Sequence, residues 1–309
     1  MIENLLVLIA SLFLVVEGAT FATRYSAKLA ESFRLSKYIV GFIVVAFISI
    51  LPETLISINA AAAGIPSFGL GTLLGSNVAD LSLIFAVLVL SNRRGMKIET
   101  RVLKNISTYP LFILLPIVLG FDGRYSRIDG LYLILAGSVF YFMIYKNGLD
   151  VSDVVHNGKH RWRSVFCLLA AMALLLIGAH HTVASATALA CLFHINPVLI
   201  GMLVVSLGTT MPELFFSMKA LKKNDDGLAV GNILGAVLAD ATIVIGILAI
   251  ISPFDFSTSI IYVTGTFMVV ASLILLGFMR TERTLSKSEA RLLLLFWVCY
   301  ALIEYSVNG

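Results

Sequence analysis

The sequence predicts an all-α polytopic membrane protein. Ten transmembrane helices are arranged as two inverted five-helix repeats, with broken helices at the midplane. Three observations predict it. First, hydrophobic residues make up 59% of the chain and charged residues 13%, with a mean hydropathy of +0.97, against about 25% charged in soluble domains. Second, residues 41–80, GFIVVAFISILPETLISINAAAAGIPSFGLGTLLGSNVAD, return as residues 201–240, GMLVVSLGTTMPELFFSMKALKKNDDGLAVGNILGAVLAD. The offset of 160 is kept without a gap: Gly41 maps to Gly201, Pro52 to Pro212, Glu53 to Glu213, Ser57 to Ser217, Gly71 to Gly231, Gly75 to Gly235 and Asp80 to Asp240. One offset shared by glycine, proline and acid marks an internal duplication. Third, the basic residues fall on one side of the spans.

A span needs about 20 apolar residues. The first covers 3–23 and is read as a retained span, because it is too long and lacks a basic start. Its Glu17 is expected near the interface, where a carboxylate escapes the full cost of burial; a gating role is the alternative. The second covers 38–63, with Glu53 its only charge, and Gly64, Ile65 and Pro66 close it. The third covers 67–91, with Asp80 its only charge. The fourth and fifth cover 106–121 and 131–145, and a polar linker, 146–163, joins the halves. The second half repeats the plan at 164–190, 197–220, 227–251, 258–279 and 292–307. Glu213 and Asp240 are the only charges well inside the seventh and eighth spans. The domains are therefore 1–145, a cytoplasmic linker at 146–163, and 164–309. An odd number of spans per half makes the two copies enter the membrane from opposite sides.

With both termini outside a cell membrane, 20 of the 22 lysines and arginines face inward; only Arg124 and Arg127 lie outside. That asymmetry fixes orientation. The same placement in short loops explains the net charge of +4 without a nucleic-acid partner. Cys167, Cys191 and Cys299 have neither disulfide nor zinc spacing and are expected to be buried in packing. His180 and His181 lack further ligands nearby in sequence. Asp150 and Asp153 lack the glycine and closing glutamate of a calcium loop and read as solvated linker.

The constellation that carries chemistry is duplicated. Carboxylates inside apolar spans are costly and mark an ion or substrate path. Proline in mid-span breaks the helix, and freed backbone is tolerated only beside a cavity. Matching broken helices in two halves point to a transporter's binding site. Glu53 and Glu213 should face each other, with Asp80 and Asp240 nearby. Ser49, Ser76, Thr209 and Thr210 offer hydroxyls, and carbonyls near the kinks, around Ala46 and Ser206, offer further oxygens. Such hard ligands suit Ca2+, Mg2+, Na+ or H+ rather than soft metals. Each hydroxyl taken alone can equally bond back to its own helix. The recurring glycines, 69, 71 and 75 with 227, 231 and 235, serve tight helix packing and close approach around the site.

The pattern G-x7-(S/T)-x2-P-E followed by G-x3-G-x4-D, duplicated and inverted, resembles the α-repeats of the calcium/cation antiporter superfamily. The nearest branch is the sodium/calcium exchangers of prokaryotes. The resemblance covers the whole chain and is strongest in the two repeats. It implies a ten-helix exchanger with alternating access, in which the two repeat glutamates bind Ca2+ and Na+ in competition. It makes Glu53, Glu213, Asp80 and Asp240 the core, Ser49, Ser76, Thr209 and Thr210 flanking ligands, and Ala46 and Ser206 carbonyl donors. The sequence departs from the pattern at two places. Ile50 stands where the first repeat usually carries a hydroxyl before Leu-Pro-Glu, and Gly235-Ala236-Val237 replaces Gly-Ser-Asn in the second. Asp80 stands where Asn is common. Four crowded acids cannot all stay charged when Ca2+ leaves, so H+ is the alternative counter-ion to Na+. A cation channel without coupled exchange is the rival of a different class. An enzyme is not expected, because no nucleophile–base pair or zinc motif accompanies the acids. No resident cofactor is expected either; the partners are inorganic cations and the lipid bilayer.

Overall fold

A computed structural model describes residues 2–30, 40–92, 94–98, 108–147, 161–193, 196–281 and 283–308. The chain opens with α1 (Ile2–Ala30). A π-helical stretch, Val40–Val45, runs into α2 (Ala46–Ser49), the backbone turns at Ile50, and α3 (Leu51–Ala62) follows. Next come α4 (Pro66–Ala79), a π-helical Asp80–Ile84, α5 (Phe85–Ser91), β1 (Met96–Lys97), α6 (Tyr109–Leu119), β2 (Arg124–Tyr125) and α7 (Arg127–Asn147). The second half opens with α8 (Arg161–Phe193) and α9 (Pro197–Ile200), then a π-helical Gly201–Val205, α10 (Ser206–Thr209) and α11 (Met211–Lys222). It continues with α12 (Asp226–Ala239), a π-helical Asp240–Val244, α13 (Ile245–Ile251) and β3 (Phe254–Asp255). It closes with a π-helical Ile260–Gly265, α14 (Thr266–Arg280), β4 (Thr284–Leu285) and α15 (Lys287–Asn308).

Among the described residues, six helical rods are long and apolar enough to cross a membrane: Pro66–Ser91, Arg127–Lys146, Pro197–Lys222, Asp226–Ile251, Ile260–Arg280 and Lys287–Val307. Gly41–Ser49 and Leu51–Ala62, bent by 42°, make a seventh if taken as one span. Three expected spans have different lengths. α1 and α8 run to 29 and 33 residues, while α6 has 11. Linker positions 148–160, with Asp150, Asp153 and Lys159, lie outside the described residues, as do Arg34, Lys37, Arg93, Arg101 and Lys104.

The two breaks have one cause. Pro52 and Pro212 sit in the first turns of α3 and α11, where a missing N–H leaves no bond unmade. The turn itself falls just before, at Ile50 and Thr210, whose ψ angles of -1° and -6° interrupt the helical run. Behind each break lies a buried helix of the other half: α4 packs on Gly201–Val205 and α10, and α12 packs on Val40–Val45 and α2. Gly75 and Gly235 make these approaches possible, since a Cβ on either would run into the backbone of Met202 or Phe42.

The 160-residue offset extends to helix caps. Ser126 N and Oγ donate to Asp129 Oδ2 at the start of α7, and Ser286 N and Oγ donate to Glu289 Oε2 at the start of α15. Two-residue strand pairs tie the halves together, β1 with β4 and β2 with β3, both antiparallel. Beside the first pair, Arg94 forks onto Asp226 at 2.9 and 2.5 Å, and Lys97 N donates to the same carboxylate at 2.8 Å.

One minor expectation changes. Cys191 and Cys299 are exposed and Cys167 is half-buried, so these thiols do not all pack inward. His180 and His181 stack edge-on at 5.5 Å, exposed on α8.

Candidate ion-binding centre

The duplicated architecture brings four acids into one sealed region. Glu53, Asp80, Glu213 and Asp240 are 1%, 2%, 1% and 1% exposed. Glu53 and Glu213 lie in the first turns of α3 and α11, just past each break. Asp80 and Asp240 each begin a π-helical stretch in the middle of a rod. Such stretches recur at functional sites because they re-aim side chains. The charge of Glu213 acts on Glu53, Asp80 and Asp240, and that of Asp240 acts on Glu53 and Asp80.

The glutamates are held crosswise. The hydroxyl of Thr209 lies near enough to Glu53 to favour its charged form, and that of Ser49 does the same for Glu213. Positions 49 and 209 are related by the repeat, as are 53 and 213. Each glutamate therefore leans on the hydroxyl of the other half. Each carboxylate nonetheless keeps one buried oxygen without a partner: Glu53 Oε2, Asp80 Oδ1, Glu213 Oε2 and Asp240 Oδ1. Buried unpartnered anionic oxygens are expensive, so this arrangement is built for a cation or proton. Among the described residues, no three acidic, histidine or cysteine side chains converge closely enough to hold a metal ion by themselves. A cation here needs hydroxyl, amide or carbonyl oxygens as well.

The expected hydroxyls are all buried. Ser49 Oγ donates to Ala46 O at 3.1 Å, Ser76 Oγ to Leu73 O at 2.9 Å, Thr209 Oγ1 to Ser206 O at 3.0 Å and Thr210 Oγ1 to Leu207 O at 3.1 Å. Ser206 Oγ donates to Met202 O. With the proton placed on the helix, each hydroxyl oxygen keeps its lone pairs for a cation, whereas Ser49 and Thr209 can turn that one proton to a neighbouring acceptor only by giving up the helix carbonyl. The back-bonding reading and the ligand reading are thus compatible.

The carbonyls differ from expectation. Ala46 O accepts from Ile50 N at 3.1 Å and from Ser49 Oγ, and Ser206 O accepts from Thr210 N at 3.1 Å and from Thr209 Oγ1. Neither is freed by the kink. A proline removes the donor to the carbonyl four residues back, here Ile48 and Gly208, and backbone N–H groups at the caps bond those carbonyls instead.

Two asparagines escaped the sequence reading. Asn232 Oδ1 accepts from Ser49 Oγ at 3.3 Å, and its Nδ2 donates to Ser217 Oγ at 3.4 Å. Asn77 Nδ2 donates to Met268 Sδ at 3.5 Å, and its buried Oδ1 has no partner. Their repeat counterparts are Thr72 and Val237. Neither residue is repeated as asparagine in the other copy; the surviving signal is an amide inside an apolar span.

Comparison with known proteins agrees with this geometry. The family described as sodium/calcium exchanger protein matches residues 3–146 and 163–306. An uncharacterised membrane protein from Methanocaldococcus jannaschii is 30% identical over 233 residues, covering 74% of this chain and 76% of its own. The sodium/calcium exchanger MaX1 of Methanosarcina acetivorans is 24% identical, covering 98% of this chain and 99% of its own. The solved sodium-calcium exchanger NCX_Mj, soaked with Na+ and Sr2+, superimposes with a TM-score of 0.73 at 26% identity, over 96% of this chain and 97% of that one.

Proposed function

The chain belongs to the sodium/calcium exchanger family, a family of multi-pass membrane antiporters and not of enzymes, and on that premise we propose that it exports Ca2+ in exchange for inward Na+, by alternating access to one buried centre. Glu53 and Glu213, with Asp80 and Asp240, are the anionic ligands. Ser49, Thr209, Ser76 and Thr210 supply neutral oxygens. The carbonyls of Ala46 and Ser206 are weaker candidates, since each already accepts two hydrogen bonds. The observation that carries this reading is the set of four buried carboxylates, each with one oxygen lacking a partner. Hard oxygen ligands of this charge suit Ca2+, which takes six to eight oxygens in varied geometry.

The finer architecture is part of the same proposal. Residues 1–145 and 164–309 form two inverted five-helix halves, ten spans in all, joined by a cytoplasmic linker at 146–163. Both termini lie outside a cell membrane. The duplicated order of elements and the one-sided loop charges support this arrangement. The working partners are inorganic cations and lipid, with no nucleic acid and no resident cofactor.

Proton coupling is the second reading. Ile50 and Ala236 put hydrocarbon where hydroxyls would serve Na+, and acids stand at both 80 and 240. The test is Ca2+ uptake into proteoliposomes at clamped voltage, under a Na+ gradient alone and then a pH gradient alone. Uptake driven by Na+ alone supports the proposal, and uptake driven by pH alone replaces Na+ with H+. Ca2+ flux that needs no counter-ion on the other side would make the protein a channel.

A further inference from the structure

The centre is pseudo-symmetric in its acids but not in its neutral ligands. Each break faces a helix of the other half, so the centre has two flanks. One is made by residues 40–50 with α12, the other by residues 200–210 with α4. Ser49 Oγ reaches Asn232 on α12, which confirms the first pairing at atomic range. The Cβ of Ala46 meets Gly235 on the same flank, and the backbone of Met202 meets Gly75 on the other.

Four repeat-related pairs separate cleanly between these flanks. On the second stand Ser206, Thr210, Ser76 and Asn77. At the equivalent positions of the first stand Ala46, Ile50, Ala236 and Val237. All eight are buried, at most 3% exposed. The sorting follows space and not sequence, because each flank draws residues from both halves. On the polar flank the hydroxyl protons point back along their helices, and Asn77 Oδ1 is buried without a partner. On the other flank the remaining polar groups, Ser49 and Asn232, bond to each other. A bare monovalent cation needs a shell of neutral oxygens when it leaves water, and only one flank offers one.

We infer that the exchange centre is one-sided: a flanking Na+ binds beside Ser76, Ser206 and Thr210, and the repeat-related position beside Ala46, Ile50 and Ala236 takes none. This deepens the proposed exchange and rests on it. Its consequence is a lower Na+:Ca2+ coupling ratio than a centre with both flanks lined by hydroxyls would give.

The test separates the two claims by isotopic Ca2+ self-exchange in proteoliposomes, which reads the central acids without Na+. If the wild-type protein shows no self-exchange, the proposed exchange itself fails. With self-exchange present, Ser76→Ala combined with Thr210→Val should raise the Ca2+ needed for half-maximal self-exchange by a smaller factor than the Na+ needed for half-maximal Ca2+ flux, which should rise more than tenfold. That factor corresponds to losing about 1.4 kcal/mol of Na+ binding. An unchanged Na+ requirement overturns the inference. So does an equal or larger rise in the Ca2+ requirement of folded protein, since the hydroxyls would then serve Ca2+ as much as Na+. The reciprocal variant, Ile50→Thr with Ala236→Ser, rebuilds the bare flank without removing a ligand. It should raise the coupling ratio, measured as the Na+ gradient that just balances a fixed Ca2+ gradient. A ratio already as high in the wild type as in this variant also overturns the inference.

Discussion

Replacing Glu213 by Gln separates a carboxylate that binds cargo from one that holds the fold. Glu213 is 1% exposed, its Oε2 has no partner, and its charge acts on three other buried acids. Glutamine keeps the shape and can still meet Ser49, so the ion-free protein loses a source of repulsion and little else. Its thermal midpoint without Ca2+ should hold or rise. The ion-bound state loses an anionic ligand from a buried ionic cluster, which costs about 3–5 kcal/mol, or roughly a hundredfold to a few thousandfold in Ca2+ affinity. At a Ca2+ concentration about 100 times the wild-type Kd, the ion stabilises wild type by about 2.7 kcal/mol. A variant whose Kd is a hundredfold higher gains about 0.4 kcal/mol at the same concentration. For a chain of this size these correspond to a midpoint shift of about 4 °C against less than about 1 °C. Thermal unfolding in detergent with and without Ca2+ reads the stability, and radiolabelled Ca2+ uptake into proteoliposomes reads transport. Two results refute the reasoning: a full Ca2+-induced shift with near wild-type uptake, or a midpoint that falls several degrees before any Ca2+ is added.

The crosswise arrangement predicts that Ser49→Ala and Thr209→Val have matching effects, each raising the Ca2+ concentration for half-maximal exchange about tenfold to a hundredfold, the range for a hydrogen bond to a charged group; widely different values would show that the two glutamates are not held alike. Gly235→Ala forces a methyl onto the Phe42 carbonyl and should lower stability by about 1–3 kcal/mol, read as a lower thermal midpoint, whereas Gly277→Ala, whose Cβ would meet nothing within 4 Å, should change it little. Topology predicts that a cysteine replacing Arg127, in a background without the three native cysteines, is labelled by an impermeant reagent in intact cells, while one replacing Lys223 is labelled only after permeabilisation; the opposite pattern reverses the orientation.

The acids were legible because two signals reinforced each other. A carboxylate in an apolar span is already costly, and the duplication repeated Glu53 and Asp80 as Glu213 and Asp240 in unchanged register. The positions of the breaks were only half legible. Proline announced them, but the backbone turns at Ile50 and Thr210, because a proline is comfortable in the first turn of the helix that follows. Nothing in the residues announced the π-helical stretches that begin at Asp80 and Asp240. Asn77 and Asn232 were not legible from the duplication, since neither is an asparagine in the other copy.

The same blind spot explains why the asymmetry of the centre needed coordinates. Ile50 and Ala236 stand out in the sequence as two separate departures, one in each repeat. Taken alone, they read as scattered losses that would weaken both sides of a symmetric site. Their meaning depends on which helix faces which break. Had each break packed against the helix of its own half, Ile50 would face Ser76, Thr210 would face Ala236, and each flank would carry at least one hydroxyl. The packing is crossed instead, α12 on α2 and α4 on α10, so the two losses fall together with Ala46 and Val237. A duplication supplies two equivalent flanks at the outset. Crossed packing allows substitutions in both copies to remove one flank while the carboxylate core keeps all four acids.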